Sequence, residues 1–238
     1  MTSSSVFAGS ATPAIDTKDW KAVAAIIDHT LLRPETSRDQ VVQLCEAALS
    51  FGFCSVFVHP SYTALAASIL HGSAVKVGTP IGFPLGASLT STKRYETEEV
   101  LRAGAQEIDM VINNGALKSG DRNRVLFDIR GVVEIAHSGG ALLKVIIESG
   151  LLTVEEKILA CELSLLGGAD FVKTSTGWFG GGATASDVAL MRGVVGDRAG
   201  VKASGGIRTA ADVAAMVTAG ANRIGTSAAV QIIHELRG

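Results

Sequence analysis

Two lysines stand where apolar strands should end, each followed at once by hydroxyl and glycine residues. Lys173 lies in Asp170-Phe-Val-Lys-Thr-Ser-Thr-Gly177 and Lys202 in Gly200-Val-Lys-Ala-Ser-Gly-Gly206. An ammonium leaves water only at high cost unless it is paired or neutralised. A lysine that loses its proton is an amine nucleophile able to form a Schiff base with a carbonyl, and a second lysine beside it lowers its pKa by like-charge repulsion. The pair points to carbonyl chemistry. The bland alternative is that both side chains snorkel to a solvated rim.

Other charges fall in apolar surroundings. Asp109 sits in Ile108-Asp-Met-Val-Ile-Asn113, where strand alternation puts it on one face with Val111 and Asn113. Such an aspartate needs a cationic partner, and it either makes a structural ion pair or relays a proton to or from a substrate hydroxyl. Asp28, Thr30 and Lys144, together with Glu148, read as a supporting network that fixes the protonation of the amines. Glycines form a separate signal. Gly205-Gly206 and Gly225-Thr-Ser227, with Thr176-Gly177 before them, follow three consecutive strand candidates. Backbone amides there suit a phosphate group. Gly180-Gly-Gly182 reads as a flexible loop able to move over a ligand.

These residues need a scaffold. Gly104-Ala-Gln-Glu-Ile108, Gly168-Ala-Asp-Phe-Val172 and Gly220-Ala-Asn-Arg-Ile224 each close a helix-like segment and open a short apolar one, as expected of a glycine past a helix end followed by a buried strand. Thr36 with Asp39, Thr153 with Glu156, Thr184 with Asp187 and Thr209 with Asp212 each place a hydroxyl three residues before an acid, the pattern of a helix start. Strand candidates fall at 26–28, 55–58, 74–77, 107–112, 142–147, 170–173, 200–202 and 223–225. Their spacing of roughly 20 to 37 residues is that of βα units. A single (β/α)8 TIM barrel with a short N-terminal helical extension follows, spanning 15–238 behind a loose tail at 1–14. A doubly wound open sheet is the alternative, but no Gly-x-Gly-x-x-Gly follows the first strand. In a barrel, both lysines fall at the C-terminal ends of neighbouring strands, where barrel active sites lie.

Composition excludes several classes. The chain has 238 residues, 47% of them hydrophobic, and a net charge of −2 from 21 basic and 23 acidic residues. Mixed charge gives no electrostatic case for nucleic acid, and no apolar run approaches the ~18 residues of a membrane span. Three cysteines and five scattered histidines have neither disulfide nor metal-ligand spacing. A cytoplasmic protein without metal or other cofactor is the expectation.

The chain also resembles a known family, deoxyribose-phosphate aldolase. The resemblance runs from about Ile27 to about Ser227. It rests on Ile27-Asp-His-Thr-Leu-Leu32, Glu107-Ile-Asp-Met-Val-Ile-Asn113, Lys144-Val-Ile-Ile-Glu148, Phe171-Val-Lys-Thr-Ser-Thr-Gly177, Val201-Lys-Ala-Ser-Gly-Gly-Ile-Arg208 and Arg223-Ile-Gly-Thr-Ser227. It implies a metal-free class I aldolase that reversibly cleaves 2-deoxy-D-ribose 5-phosphate to acetaldehyde and D-glyceraldehyde 3-phosphate. Carried over motif by motif, Lys173 is the Schiff-base nucleophile, Lys202 the amine that tunes it, and Asp109 the proton relay. Gly177, Gly205, Gly206, Gly225 and Ser227 hold the phosphate. The partners implied are a phosphorylated sugar, aldehydes and further copies of the chain, a dimer first. Phe57 stands where many members carry a cysteine, and Trp178 at a position where members vary. Another barrel phosphosugar aldolase or isomerase is the runner-up, and a non-catalytic phosphosugar-binding barrel is a further alternative.

Overall fold

The computed structural model describes residues 15–238, so the expected tail at 1–14 lies outside the described residues. Eight parallel strands close into a barrel in chain order, with the last paired to the first. They are β1 (Ile27–Leu31), β2 (Ser55–Val58), β3 (Lys76–Ile81), β4 (Glu107–Val111), β5 (Leu142–Ile146), β6 (Phe171–Lys173), β7 (Gly200–Ser204) and β8 (Arg223–Thr226). A short α1 (Trp20–Ala24) precedes them, capped by the Asp19 carboxylate, and supplies the expected N-terminal extension. Around the barrel run α2 (Arg38–Phe51), α3 (Thr63–Ile69), α4 (Thr90–Arg102), α5 (Asn114–Lys118), α6 (Arg122–Ser138), α7 (Val154–Gly167), α8 (Ala185–Val195), α9 (Ala210–Thr218) and α10 (Ala229–Arg237). This is the (β/α)8 architecture that the strand spacing predicts.

Local chemistry sets most boundaries. Thr153 and Glu156 form a capping box at α7, Thr209 and Asp212 form another at α9, and the Thr184 hydroxyl accepts from the Asp187 amide at α8. The fourth expected cap falls elsewhere. Ser37, with Gln40, caps α2, while Thr36 is buried and its carbonyl accepts from the Tyr62 hydroxyl. Thr36 thus faces inward, one residue ahead of the cap. Gly168 closes α7 in the left-handed conformation, as a residue without a Cβ allows.

The strands differ from expectation in extent. β1 and β3 run further along the chain, and β7 continues to Ser204, so Lys202 sits mid-strand while Lys173 ends β6. Asp28 is likewise the second residue of β1, not its end. Alternate residues of each strand serve two different interiors. Val56, Val58, Ile108, Met110, Leu143, Val145, Val172, Val201 and Ile224 join the apolar layer between sheet and helices. The other face holds Asp28, Phe57, Glu107, Asp109, Lys144, Phe171, Lys173, Lys202 and Arg223, all buried. Arg223 on β8 reaches Glu107 on β4, which is possible only across the barrel's centre. The heart of the barrel is therefore charged, a costly arrangement unless every charge is matched.

Candidate active site

Lys173 and Lys202 are in-register partners on adjacent strands. Both ammoniums contact the same oxygen, Oδ2 of Asp109, at 2.8 Å from Lys173 and 2.7 Å from Lys202. Lys202 also touches Asp28 Oδ2 at 2.5 Å, and Lys144 lies 3.2 Å from the other oxygen of Asp109 and 2.5 Å from Glu107 Oε2. Neither lysine reaches a solvated rim: Lys173 is 4% exposed and Lys202 0%.

Counting charges identifies the odd member. Three carboxylates (Asp28, Glu107, Asp109) face four bases (Lys144, Lys173, Lys202, Arg223). One base has no carboxylate of its own. Burial favours the neutral carboxyl at Asp109, yet Lys144, Lys173 and Lys202 override it and hold the group well below the usual carboxylate range. Lys202, Arg223 and Lys144 do the same for Asp28. Burial opposes the charge on Lys144 too, but Asp109, Glu107 and Asp28 outweigh it and raise its pKa. At Lys173 burial wins. Helped by the charges of Lys202 and Lys144, it lowers the amine from 10.5 to about 8 against the pull of Asp109. Like-charge repulsion, which the sequence suggests as the tuning force, is thus secondary to desolvation.

Access separates the lysines a second time. A pocket of about 340 Å³ opens beside β6 to β8, and Lys173 lines it whereas Lys144, Lys202 and Asp109 do not. Gly177, Gly205, Gly206, Gly225 and Ser227 line the same pocket, together with Thr30, Trp178 and Arg208, so the amine and the glycine-rich loops share one cavity. Gly206, at φ +80, has open space where a Cβ would be. Gly205, at φ +91, lies so close to Gly182 that a Cβ would meet its Cα at 2.9 Å. The last glycine of 180–182 is therefore packed against the candidate anion loop. Gly225 has an additional role: a Cβ there would stand 3.0 Å from Cε of Lys202, so its absence lets that stem pass.

Two expected network members sit differently. The Thr30 hydroxyl donates to the backbone carbonyl of Asp28 and not to a carboxylate. Glu148 lies beyond the end of β5 in the left-handed region at φ +55, and its Oε2 accepts from the Thr176 amide at 3.0 Å. The carboxylate thus serves the loop after β6. Trp178 stands at the pocket mouth with its ring edge-on to Phe83, centroids 6.3 Å apart.

Sequence reasoning misses four participants. Glu107 and Arg223 complete the ion network, with Arg223 Nη1 2.6 Å from Asp28 Oδ1. The Phe57 ring lies under three ammoniums, 3.7 Å from Lys202, 4.7 Å from Lys144 and 5.8 Å from Lys173, within range of cation–π attraction. Phe171 does the same for Arg223 at 5.5 Å and Lys144 at 5.9 Å. The available signal for Glu107 was its place two residues before Asp109, on the same strand face. Arg223 opens an apolar strand as a lone charge, as Lys173 closes one. Among the described residues no group of three or more His, Cys, Asp or Glu side chains is arranged to hold a metal.

The barrel thus brings one amine of lowered pKa, Lys173, to the border of a glycine-walled pocket. The comparisons give the family. The model of the DeoC/LacD family aldolases matches residues 22–231. A deoxyribose-phosphate aldolase of Geobacillus sp. (strain WCH70) is 56% identical over 89% of this chain and 94% of its own. Another from Halalkalibacterium halodurans is 56% identical over 90% and 96%. Among solved structures, the tetrameric deoxyribose phosphate aldolase of Aeropyrum pernix superposes with a TM-score of 0.86 at 36% identity, covering 92% of each chain. The chain belongs to the DeoC/LacD aldolase family.

Proposed function

We propose that this aldolase reversibly cleaves 2-deoxy-D-ribose 5-phosphate to acetaldehyde and D-glyceraldehyde 3-phosphate, with Lys173 as the amine that forms the Schiff base. The observation that carries the residue assignment is that Lys173 is the one base of the buried network that both borders the pocket and has its pKa lowered, to about 8. A neutral amine attacks the carbonyl, and loss of water leaves an iminium that accepts the electrons of the breaking carbon–carbon bond far better than the carbonyl does. The bond breaks as the neighbouring hydroxyl loses its proton. Asp109, whose Oδ2 lies between the Lys173 and Lys202 ammoniums, is read as the carboxylate that directs that proton through them. Lys202, tied to both Asp109 and Asp28, holds the relay in place and shares in proton transfer.

The phosphate is read as bound by the loops of Gly177, Gly205, Gly206, Gly225 and Ser227, which line the pocket that Lys173 borders. We infer cytoplasmic work from the three free cysteines, two buried and one half-buried. We infer self-association from Tyr95, Phe127 and Leu166, each more than half exposed on neighbouring helices, with a dimer as the first form to test.

Borohydride reduction in the presence of acetaldehyde tests the core of the reading. The expected product is a covalent adduct on Lys173, absent in Lys173→Ala and formed more slowly in Lys202→Ala. An unmodified wild-type mass, or an adduct on another lysine, overturns it.

A further inference from the structure

Two charged groups of the barrel interior take no part in the chemistry above and do not border the pocket. Glu107 is 2% exposed and Arg223 8%. Arg223 spans the barrel: Nη1 donates to Asp28 Oδ1 at 2.6 Å, and both terminal nitrogens donate to Glu107 at 3.1–3.2 Å. Glu107 in turn accepts from Lys144 Nζ at 2.5 Å, and the next oxygens within reach of that ammonium are Asp109 Oδ1 at 3.2 Å and Asp28 Oδ2 at 4.0 Å. Two chains of contacts therefore lead to Lys173. One runs from Glu107 through Lys144 to Asp109. The other runs from Arg223 through Asp28 and Lys202 to the same carboxylate.

The geometry points to Glu107 and Arg223 as positioning residues that govern, through Lys144 and Asp28, how much of the Asp109 carboxylate is left for Lys173. The inference rests on Lys173 being the reactive amine. Glu107 keeps Lys144 close and so keeps it from closing on Asp109. Arg223 occupies one oxygen of Asp28, leaving Lys202 one oxygen there and obliging it to share Asp109.

Opposite substitutions then have opposite consequences. Without the Glu107 charge, Lys144 turns to Asp109, and the cluster carries one more uncompensated positive charge. Both effects make Lys173 release its proton more easily. Without the Arg223 charge, Asp28 is free to take more of Lys202 and Lys144, Asp109 falls to Lys173, and the cluster loses a positive charge. Both effects make Lys173 hold its proton.

The remaining groups near Lys173 do not reverse these signs. Asp109 of β4, Lys144 of β5, Lys202 of β7 and Asp28 of β1 are the intermediaries already counted. Glu148, after β5, faces the Thr176 amide. The Cys54 thiol, next to Arg223, is pushed up by burial to about 11 and stays uncharged. The Phe57 ring carries no net charge.

The test is the pH at which borohydride trapping of acetaldehyde on Lys173 reaches half its maximal rate. Glu107→Gln is expected to move that midpoint to lower pH and Arg223→Met to higher pH, each by roughly 0.5–1 pH unit, which is about a threefold to tenfold change in neutral amine. The double variant is expected to return near the wild-type midpoint. Shifts of the same sign, or a midpoint unmoved in both single variants, overturn the inference, since a merely structural pair changes yield and stability without moving the profile. Should either single variant not fold, Glu107→Asp, which keeps the charge but draws it back from Lys144, is expected to shift the midpoint the same way as Glu107→Gln by a smaller amount. An unmoved midpoint there is equally fatal. If the wild type forms no adduct on Lys173, the aldolase assignment fails first, and that outcome is distinct from a trapped but unshifted one.

Discussion

At Lys173, the proposed nucleophile, burial and the neighbouring cations act on the same side. Desolvation and the charges of Lys202 and Lys144 favour the neutral amine, and Asp109 alone pulls the other way, leaving a pKa of about 8. Adduct formation should therefore rise with pH, tenfold per unit below 8, and flatten above it. Lys202→Met removes a repelling charge and frees Asp109 Oδ2 for Lys173, two changes that both favour the protonated amine. The midpoint is expected to move upward by about one unit, with a roughly tenfold loss of trapping rate at pH 7. A pH titration of the trapping rate checks this, and a midpoint at or below that of the wild type contradicts it. At the level of residue types the two lysines are indistinguishable in the sequence, since each is a strand lysine followed by small polar residues. What separates them is that one strand stops at its lysine and the other continues two residues further, so that only Lys173 borders the pocket.

At the scale of elements, the barrel accommodates large rings by leaving side chains out opposite them. Phe57 of β2 is the in-register partner of Gly78 on β3, and Phe171 of β6 is that of Gly200 on β7. A Cβ at Gly78 would fall 2.3 Å from the Phe57 ring, and one at Gly200 would fall 2.0 Å from the Phe171 ring. Gly78→Ala is therefore expected to destabilise by about 2–3 kcal/mol through overpacking. Combined with Phe57→Leu, which withdraws the outer ring atoms, the loss should be at least 1 kcal/mol smaller than the sum of the two single losses. Urea unfolding of the four proteins measures the coupling, and simple additivity contradicts it. The element order itself was readable, because glycine-closed helices alternate with short apolar runs along the whole chain. Boundaries were less so. β1 continues past Asp28 through His29, Thr30 and Leu31, polar and apolar residues whose pairing with β2 no local pattern announces. The α2 cap moved from Thr36 to Ser37 because a hydroxyl's suitability as a cap depends on which way it faces.

Over the whole molecule, the charged interior holds one base more than its carboxylates match. Asp109 and the lysines were visible as lone charges in apolar strands, but their balance was not, because Arg223 meets Asp28 across 195 residues of sequence and Glu107 across 116. Only closure of the barrel makes three carboxylates and four bases one group. The surplus base has a thermodynamic signature. Lys173 titrates at about 8 in the folded protein against 10.5 ordinarily, so between these pH values the unfolded chain binds a proton that the folded chain does not. The contribution of Lys173 to stability rises with pH across that window, and below pH 8 its full penalty, roughly 3 kcal/mol, is present. Lys173→Leu removes the penalty while leaving Asp109 its contacts with Lys202 and Lys144. The variant is expected to be inactive yet more stable than wild type at pH 7, with a Tm higher by several degrees on the scale of about 2–4 °C per kcal/mol. The gain should shrink as the pH is raised from 8 to 10, because the wild-type lysine then loses its proton in the folded state. Thermal unfolding of both proteins at pH 7, 8.5 and 10 reads this directly. A variant less stable than wild type at pH 7 would mean that Lys173 is held in the barrel as a matched ion-pair partner of Asp109, and a gain independent of pH would mean that the packing of the leucine, not the lost charge, supplies it.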